Sequence, residues 1–413
     1  MNLDRLISMP NAELESKGIK YTPREIASQP TIWLKSFSML KNRIGEIRDF
    51  INGRVLSKGH GRVMLSGAGS SYFIGLSCED VLRGMWHINV ESRACTDIVT
   101  SFHSILLKHI DTTMVYFSRS GESPEILGAF LLADRILENV SHIIITCNRF
   151  GKLASLKSRY EERGENNVLR IILPEETNDR GLAMTASFTT MLMAAQFLAY
   201  IMEADIYENI LRSASAAAER LLREYSSLAS ELAELNFERA FFLGTGPLYG
   251  CAAESHLKLQ ELTAGRVICK FDSYLGVRHG PEIAIDDKTL IVYFVSSDPF
   301  IRRYEIDLME DLRSKGLGLR RIAVCCGMSE SVKRYADHVI DISDDGRCWI
   351  PDYCRPLVDV IFGQLLGLFK SLNLGLKPDN PSDRGIITRV VRGVKIYDYE
   401  AYKSEGQFRV IAQ

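Results

Sequence analysis

One segment of the sequence brings three charged side chains onto a single predicted helical face. Residues 253–261 read Ala-Glu-Ser-His-Leu-Lys-Leu-Gln-Glu, a pattern typical of a helix. Glu254, Lys258 and Glu261 stand at positions i, i+4 and i+7, so they share one face. Carboxylates in such a group can transfer protons, and an ammonium can stabilise negative charge. The alternative is an exposed ladder of Glu–Lys pairs, which is common on helix surfaces.

The position of this helix favours the chemical interpretation. It follows the run Gly-Thr-Gly-Pro at 244–247, which comes directly after an apolar run typical of a buried strand. Ligands of open α/β sheets bind beyond the carboxyl ends of the strands. His279 lies in Arg-His-Gly-Pro at 278–281, predicted to be a loop, and adds a group that ionises near neutral pH. His256, within the helix, is a weaker candidate, because histidines are often only hydrogen-bonded polar residues.

Two serine-rich loops are candidates for binding a phosphate group. The first, at 67–72, reads Gly-Ala-Gly-Ser-Ser-Tyr. It is not a Rossmann fingerprint, because Tyr72 stands where a third glycine is needed, and it is not a P-loop, because no Gly-Lys-Ser/Thr follows. Its glycines let the backbone approach a ligand closely, and the hydroxyls of Ser70 and Ser71 can donate to phosphate oxygens.

The second loop, at 118–125, reads Ser-Arg-Ser-Gly-Glu-Ser-Pro-Glu. Pro124 suits the first turn of a helix, with Ser123 as its N-cap. Ser118, Ser120 and Ser123 would then lie near free backbone N–H groups at the positive end of a helix dipole, where anions bind. The alternative is that these serines serve only the turn and the cap.

An internal repeat relates the two halves of the chain. Gly67 and Gly69 correspond to Gly244 and Gly246, both pairs separated by 177 positions. The run Val-Tyr-Phe at 115–117 recurs at 292–294 with the same separation. Matched segments in the same order indicate two copies of one domain. The copies differ, because the second reads Val-Ser-Ser-Asp at 295–298 where the first has its second serine loop.

Each copy is predicted to be α/β, with parallel strands buried on both faces. The predicted strands are 62–66, 113–118, 142–147 and 168–173 in the first copy and 239–243, 267–271, 289–295, 321–326 and 338–342 in the second. The predicted domains are an N-terminal helical cap at 1–45, the first copy at 46–204, a connecting helix at 205–235, the second copy at 236–376 and a C-terminal tail at 377–413.

Composition limits the classes of protein that fit. A length of 413 residues, with 46% hydrophobic and 25% charged residues, is ordinary for two globular domains. The net charge of −2 gives no whole-chain basic footprint for nucleic acid. No run reaches the roughly 18 apolar residues of a membrane span, and the first residues do not resemble a signal peptide. Nine cysteines at irregular spacing, without a C-x-x-C, predict buried reduced thiols in a cytoplasmic protein.

The serine loops resemble those of the sugar isomerase (SIS) domain family. The carrying motifs are Gly-Ala-Gly-Ser-Ser at 67–71 and Ser-Arg-Ser-Gly-Glu-Ser-Pro at 118–124. The resemblance implies a flavodoxin-like parallel sheet sandwiched by helices, present twice, as in glucosamine-6-phosphate synthase without its glutaminase domain. It also implies that Ser70, Ser71, Ser118, Ser120 and Ser123 hold the phosphate of a phosphosugar.

The whole chain resembles one branch of that family more closely, the AgaS type. The motifs are 173–180 (Leu-Pro-Glu-Glu-Thr-Asn-Asp-Arg), 183–189 (Ala-Met-Thr-Ala-Ser-Phe-Thr), 262–265 (Leu-Thr-Ala-Gly), 272–281 (Asp-Ser-Tyr-Leu-Gly-Val-Arg-His-Gly-Pro), 379–382 (Asp-Asn-Pro-Ser) and 389–394 (Arg-Val-Val-Arg-Gly-Val). This branch is known as galactosamine-6-phosphate deaminase/isomerase, and was earlier labelled tagatose-6-phosphate ketose/aldose isomerase.

The resemblance assigns roles to the charged residues. Glu261 is the implied proton-transfer base and His279 the implied ring opener, while Glu254 and Lys258 would orient the sugar and stabilise charge. In the synthase the matching histidine comes from a neighbouring subunit, which implies a homodimer with shared sites. The synthase also uses a lysine in its C-terminal tail, whereas residues 380–384 here read Asn-Pro-Ser-Asp-Arg.

The expected activity is a cytoplasmic deaminase that converts D-galactosamine 6-phosphate and water to D-tagatose 6-phosphate and ammonia. This chemistry requires no metal and no redox cofactor, and its partner is a small phosphosugar rather than nucleic acid or membrane. Three alternatives stay open: a ketose–aldose isomerase without deamination, a deaminase of glucosamine 6-phosphate, and a non-catalytic phosphosugar sensor. The sensor is the weakest, because residues 1–45 are too short for a convincing DNA-binding module.

Overall fold

The computed structural model describes residues 1–59, 61–327, 330–382, 384–391, 393–406 and 409–413. Asp383 and Arg392, which belong to the tail segments quoted above, lie outside these ranges. The strands are β1 (Arg62–Gly67), β2 (Asn89–Ala94), β3 (Thr112–Ser118), β4 (Val140–Thr146), β5 (Val168–Ile172), β6 (Arg239–Leu243), β7 (Ile268–Asp272), β8 (Thr289–Phe294), β9 (Arg320–Cys325), β10 (His338–Asp341), β11 (Ile396–Asp398) and β12 (Arg409–Ala412).

The α-helices precede the first strand and connect the strands that follow. They are α1 (Leu3–Ile7), α2 (Asn11–Lys17), α3 (Thr22–Lys41), α4 (Ile44–Arg54), α5 (Ser70–Trp86), α6 (Cys95–Ile105), α7 (Pro124–Ile136), α8 (Lys152–Ser155), α9 (Ala186–Ala199), α10 (Ala204–Glu234), α11 (Pro247–Leu262), α12 (Pro299–Ser314), α13 (Glu330–Tyr335), α14 (Pro356–Asn373) and α15 (Tyr399–Glu405).

Two compact units make up the chain. The first-sheet unit comprises Ser36–Asn178, Thr190–Ala204 and Gly385–Gln413. The second-sheet unit comprises Met1–Lys35, Asp179–Thr189 and Asp205–Arg384. The domain boundaries expected from the sequence stay a prediction.

The first-sheet unit contains a parallel sheet in the order β2-β1-β3-β4-β5. Its central strands β3 and β4 are buried along their whole length, which explains their runs of β-branched and aromatic residues. The core packs Tyr116, Phe130 and Ile144 among aliphatic side chains from α6 and α7. The antiparallel pair β11–β12 of the tail belongs to this unit, and Ile396 packs so closely on α7 that a Cβ at Gly128 would lie 2.8 Å from its Cγ2.

The second-sheet unit repeats this topology. Its sheet has the order β7-β6-β8-β9-β10, so each strand matches the strand at the same position of the first sheet. All pairs are parallel, and the core packs Tyr274, Tyr293 and Leu308 between the sheet and α12. The predicted fold class, two flavodoxin-like α/β domains related by a repeat, is therefore confirmed.

The nine predicted strands are all present, and three further strands, β2, β11 and β12, were not predicted; β2 is the one that belongs to a parallel sheet. Its sequence Asn-Val-Glu-Ser-Arg-Ala buries only Val90 and Ser92, because it lies at the edge of the sheet. A mostly polar edge strand lacks the apolar run by which the other strands were recognised.

The expectation that all cysteines are reduced is wrong for one pair. Cys326, which follows β9, forms a disulfide with Cys348. The disulfide could not be predicted from spacing, because 22 positions, including α13 and β10, separate two residues whose Cα atoms lie 5.2 Å apart. The other seven cysteines are free thiols, and all but Cys269 are buried.

Candidate active site

The first serine loop is a tight turn from β1 into α5. A Cβ on Gly67 would lie 2.5 Å from the carbonyl carbon of Ser71, so only glycine fits at the end of this strand. Gly69 has φ 55° and ψ −127°, a conformation that favours glycine. The turn makes Ser70 and Ser71 the first residues of α5, at the carboxyl edge of the sheet and largely buried.

The second serine loop is organised by its own hydroxyl groups. Ser118 ends β3, and its Oγ accepts the N–H of Gly121 at 3.0 Å. Ser120 Oγ accepts the N–H of Glu122 at 3.2 Å. Ser123 is the N-cap of α7, as predicted, but its side chain makes no capping hydrogen bond. The hydroxyl of Ser123 and the positive end of α7 therefore remain suited to an anion.

The loop after β4 supports this second serine loop. Asn148 Nδ2 donates to the carbonyl oxygen of Ser120 at 2.8 Å. A Cβ on Gly151 would lie 2.5 Å from the same oxygen, so the two loops can meet only at a glycine. Both serine loops thus lie at the carboxyl ends of neighbouring strands, β1 and β3, and are braced rather than loose.

Arg119 lies in the same loop and was not predicted to be a site residue. It is buried, and its guanidinium donates to the carbonyl oxygen of Arg389 in the tail at 2.6 Å. Arg389 in turn donates to Asn178 Oδ1 at 2.5 Å. No pattern in the sequence predicted that the loop and the tail meet.

Helix α11 in the second-sheet unit begins with the same turn as α5. Gly246 has φ 56° and ψ −127°, nearly the same as Gly69. A Cβ on Gly244 would clash with the carbonyl oxygen of Leu248, just as a Cβ on Gly67 would clash with the backbone of Ser71. Pro247 stands at the first turn, where its missing N–H costs nothing. The repeat is therefore reproduced in backbone detail at the position where the charged helix starts.

Close packing against α14 fixes the charged face of α11. A Cβ on Gly363 would lie 2.5 Å from Cβ of Ser255, and one on Gly367 would lie 3.0 Å from the carbonyl oxygen of Lys258. The two glycines are one turn apart on α14 and let the two helices approach closely. The backbone around Lys258 is thus held by direct helix–helix contact.

The three charged residues of α11 form one ion network. Lys258 Nζ lies 2.7 Å from Oε2 of Glu261 and 3.3 Å from Oε1 of Glu254. The side chains of Lys258 and Glu254 are 1% and 0% exposed, whereas that of Glu261 is 24% exposed. An exposed Glu–Lys ladder is therefore the wrong description, because two of the three groups are removed from water. Glu261 is the member that reaches solvent.

Lys258 is held as an ammonium. Burial acts to lower the pKa of its side chain, but the charges of Glu254 and Glu261 together outweigh burial and raise this pKa above its ordinary value. A buried cation with two carboxylate partners holds both carboxylates in place. It is not suited to attacking a carbonyl group, because a nucleophilic lysine must be neutral.

His279 lies in an exposed loop of the second-sheet unit. It follows a short 3₁₀ turn at Gly276–Arg278 and precedes Gly280, whose φ of 118° requires glycine. The histidine and two nearby apolar side chains are exposed to solvent, Leu275 by 51% and Ile283 by 94%. Exposed apolar side chains can take part in a contact surface where they lie together.

His256 lies partly buried on α11, unlike the exposed His279. Burial lowers the pKa of its imidazole to about 4, although the hydrogen bond to the Ala253 carbonyl opposes this. Its ring packs on Phe271 with centroids 4.6 Å apart. A neutral, packed imidazole of this kind fits a structural role.

Within the described ranges, no group of three or more His, Cys, Asp or Glu side chains is arranged to hold a metal ion. Among the helices that the structure describes, none combines the length and apolar character needed to cross a bilayer.

The fold and these loops define a two-domain protein of the sugar isomerase class. The crystal structure of tagatose-6-phosphate ketose/aldose isomerase from Escherichia coli matches with a TM-score of 0.82 at 31% identity, covering 92% of this chain and 97% of that one. The chain matches no protein-family model.

Curated relatives narrow the assignment. The chain is 34% identical over 383 residues to D-galactosamine-6-phosphate deaminase AgaS of Escherichia coli, covering 92% of this chain and 96% of that protein. It is 33% identical over 397 residues to the protein of the same name from Shewanella sp. (strain ANA-3), covering 94% of each. The chain belongs to the AgaS family of D-galactosamine-6-phosphate deaminases, which confirms the resemblance seen in its motifs.

Proposed function

We propose that this protein converts D-galactosamine 6-phosphate and water to D-tagatose 6-phosphate and ammonia. The observation that carries the proposal is the buried network in which Lys258 joins Glu254 to Glu261, directly after a glycine turn at a strand end. Membership in the AgaS family supports an enzyme that acts on phosphosugars. That the reaction is a deamination coupled to isomerisation is part of the proposal.

The serines of the first-sheet unit are proposed to bind the substrate phosphate. Ser70 and Ser71 begin α5, and Ser118, Ser120 and Ser123 surround the start of α7. A phosphate at these positions would receive hydroxyl and backbone N–H donors and meet the positive ends of two helices. The first loop supplies the closer backbone approach, because of Gly67 and Gly69.

Glu261 is proposed to be the base. After His279 opens the sugar ring, Glu261 removes the proton from carbon 2 and returns it to carbon 1. The carbonyl oxygen at carbon 1 gains the proton that the amino nitrogen loses, which leaves an alcohol at carbon 1 and an imine at carbon 2. Water adds to this imine, and ammonia leaves as the ketose forms. Glu261 is preferred over Glu254 because its carboxylate alone of the two is exposed.

Lys258 and Glu254 are proposed to act behind Glu261. The Lys258 ammonium, 2.7 Å from Glu261, holds the carboxylate of the base in position. Glu254 holds Lys258 from the other side at 3.3 Å. Their burial favours this positioning role over the contact with sugar hydroxyls that the resemblance implies.

His279 is proposed to work in a homodimer, in the site of the neighbouring subunit. The exposure of His279 and of the apolar side chains of Leu275 and Ile283 supports a loop that a second copy covers. A cytoplasmic location is part of the same proposal, and it would expose the Cys326–Cys348 disulfide to cellular reductants.

A plain ketose–aldose isomerase is the second candidate, favoured by the name of the Escherichia coli structure. Purified protein should be incubated separately with galactosamine 6-phosphate, glucosamine 6-phosphate and tagatose 6-phosphate, and both ammonia and sugar products measured. Ammonia and ketose in equal amounts from galactosamine 6-phosphate support the proposal. Aldose from tagatose 6-phosphate, without ammonia from either amino sugar, would replace it with the isomerase, and equal turnover of both amino sugars would remove the epimer assignment.

A further inference from the structure

The loop after β8 in the second-sheet unit is occupied by a carboxylate of its own chain. This loop matches the second serine loop of the first-sheet unit in the repeat. The backbone N–H of Ser297 lies 3.0 and 2.9 Å from the two carboxylate oxygens of Asp352, and the Ser296 hydroxyl also donates to Asp352. Backbone N–H and serine hydroxyl groups are the donors that loops of this kind offer to an oxyanion.

A buried arginine completes the surroundings of this carboxylate. Arg355 is fully buried, and its guanidinium lies 3.2 Å from Asp352 and 2.7 Å from Asp359. The same guanidinium donates to the carbonyl oxygen of Val295 at 2.6 Å, at the start of the loop. Burial acts to raise the pKa of Asp352, but the charge of Arg355 and the serine donors outweigh it and hold the pKa below its ordinary value. Asp352 is therefore an anion.

The N-terminal ends of the matching helices α12 and α7 also differ in whether an acidic side chain accepts their hydrogen bonds. In the second-sheet unit, Asp298 caps α12 by accepting the N–H of Phe300 at 2.7 Å. Glu305 accepts the N–H of Ser296 at 2.7 Å. In the first-sheet unit, the N-cap Ser123 makes no such side-chain bond. In the loop after β8, acidic side chains therefore accept the backbone N–H groups. In the matching loop after β3, serine hydroxyls accept them.

We propose that Asp352 is a built-in substitute for phosphate, which closes the oxyanion site of the second copy, and that its removal opens this site to inorganic phosphate and phosphate monoesters. The comparison with the first copy rests on the phosphate role proposed for its serines. The second site itself rests on Ser296, Ser297 and Arg355, whose contacts with a carboxylate are direct. Each chain is therefore expected to bind one phosphosugar rather than two.

The disulfide holds Asp352 in this place. Cys348 stands four residues before Asp352 and is bonded to Cys326. The carbonyl oxygen of Cys326 accepts the hydroxyl of Ser297 at 3.4 Å, so the disulfide links the segment carrying Asp352 to the loop that it fills. A carboxylate fixed in this way competes with a free anion at a high effective concentration.

The test counts inorganic phosphate bound per chain, by titration calorimetry with ³¹P NMR as a second readout. Wild type is expected to bind one phosphate and Asp352→Ala two. Asp344→Ala is the matched control, because it removes an exposed carboxylate from the same segment, and it should bind one. In a Ser118→Ala/Ser120→Ala background, the expected counts are zero with Asp352 present and one with Asp352→Ala.

The outcomes separate the two proposals. A folded Asp352→Ala variant that binds no more phosphate than wild type overturns the built-in substitute. Absence of binding to wild type, with one phosphate gained by Asp352→Ala, would instead reject the phosphate role of the first copy and leave the second site standing. If Asp352→Ala does not fold, Asp352→Ser keeps a hydrogen-bonding group for the loop and should show the same gain; a folded Asp352→Ser without it also overturns the proposal.

Discussion

The ammonium of Lys258 lies 2.7 Å from the carboxylate of Glu261, one helical turn away, and of the two side chains only Glu261 reaches solvent. This arrangement separates two tasks within one ion pair. The exposed carboxylate can meet a substrate, while the buried ammonium fixes the direction in which this carboxylate points.

Replacement of Glu261 by Gln should abolish proton transfer while leaving the fold intact. The amide keeps the shape of the side chain but cannot accept the proton from carbon 2, so kcat is expected to fall by ~10² to 10⁴. The measurement is ammonia release at saturating galactosamine 6-phosphate. Glu219→Gln, at an exposed position of α10, is the matched control and should keep wild-type kcat. Full activity in Glu261→Gln would remove the base assignment.

Replacement of Lys258 by Met should lower the stability of the protein and not only its catalytic rate. Methionine fills a similar volume but leaves the fully buried Glu254 without its counter-ion. Breaking a buried ion pair from one side costs about 3–5 kcal/mol, so the free energy of unfolding should fall by that order in urea titrations. The double variant Lys258→Met/Glu254→Gln should recover part of the loss. If Lys258→Met and Lys258→Met/Glu254→Gln are equally stable, Lys258 and Glu254 are not energetically coupled.

Replacement of Gly363 by Ala tests how α11 is positioned. The new Cβ would lie 2.5 Å from Cβ of Ser255, so the helices must separate, at an expected cost of about 1–3 kcal/mol in unfolding free energy. Gly84→Ala in α5 is the control, because nothing lies within 4 Å of its Cβ position and alanine favours a helix. Gly84→Ala should be neutral or stabilising. Equal stability changes in both variants would contradict the close packing of α11 on α14.

Much of the fold could be predicted from the sequence because buried parallel strands carry a strong signal. The apolar runs of β3 and β8 and the glycines at 67 and 244 are local patterns, and they recur at one separation. The edge strand β2 escaped because only Val90 and Ser92 face the core. Its polar residues carry no periodic signal that distinguishes them from a loop.

The site was less predictable because side-chain burial depends on tertiary packing. Spacing placed Glu254, Lys258 and Glu261 on one face, but it could not distinguish a solvated ladder from a buried network. That distinction comes from α14, more than 100 positions later, and its glycines at 363 and 367. The link between Arg119 and Arg389 is equally non-local, since the two lie 270 positions apart.

Acid should weaken the first-sheet unit through His142. This fully buried imidazole lies 3.2 Å from Asp134 and 3.1 Å from the hydroxyl of Tyr116. Burial lowers its pKa below the ordinary 6.5, although Asp134 opposes the shift. The unfolded chain therefore takes up a proton near pH 6.5 that the folded chain does not, and the unfolding free energy falls as pH decreases below that value.

The contribution of His142 is fully present above pH 6.5 and is lost progressively below it. For one proton the slope is at most about 1.4 kcal/mol per pH unit. Urea unfolding between pH 5 and 7.5 measures it, and His142→Gln should flatten the slope because the titrating group is gone. An unchanged slope in His142→Gln would assign the acid sensitivity to other groups.

Mixed dimers can test whether His279 serves the site of a neighbouring subunit. If it does, Glu261→Gln and His279→Ala homodimers are each inactive, because every site lacks one of the two groups. In a heterodimer, the isologous interface places both lesions in one site and leaves the other site intact. Random exchange makes half of the molecules heterodimers with one working site each, so the mixture should regain on the order of a quarter of wild-type activity. Activity should return only after subunit exchange, and a mixture that stays inactive although heterodimers have formed would place His279 and Glu261 of the same chain in one site.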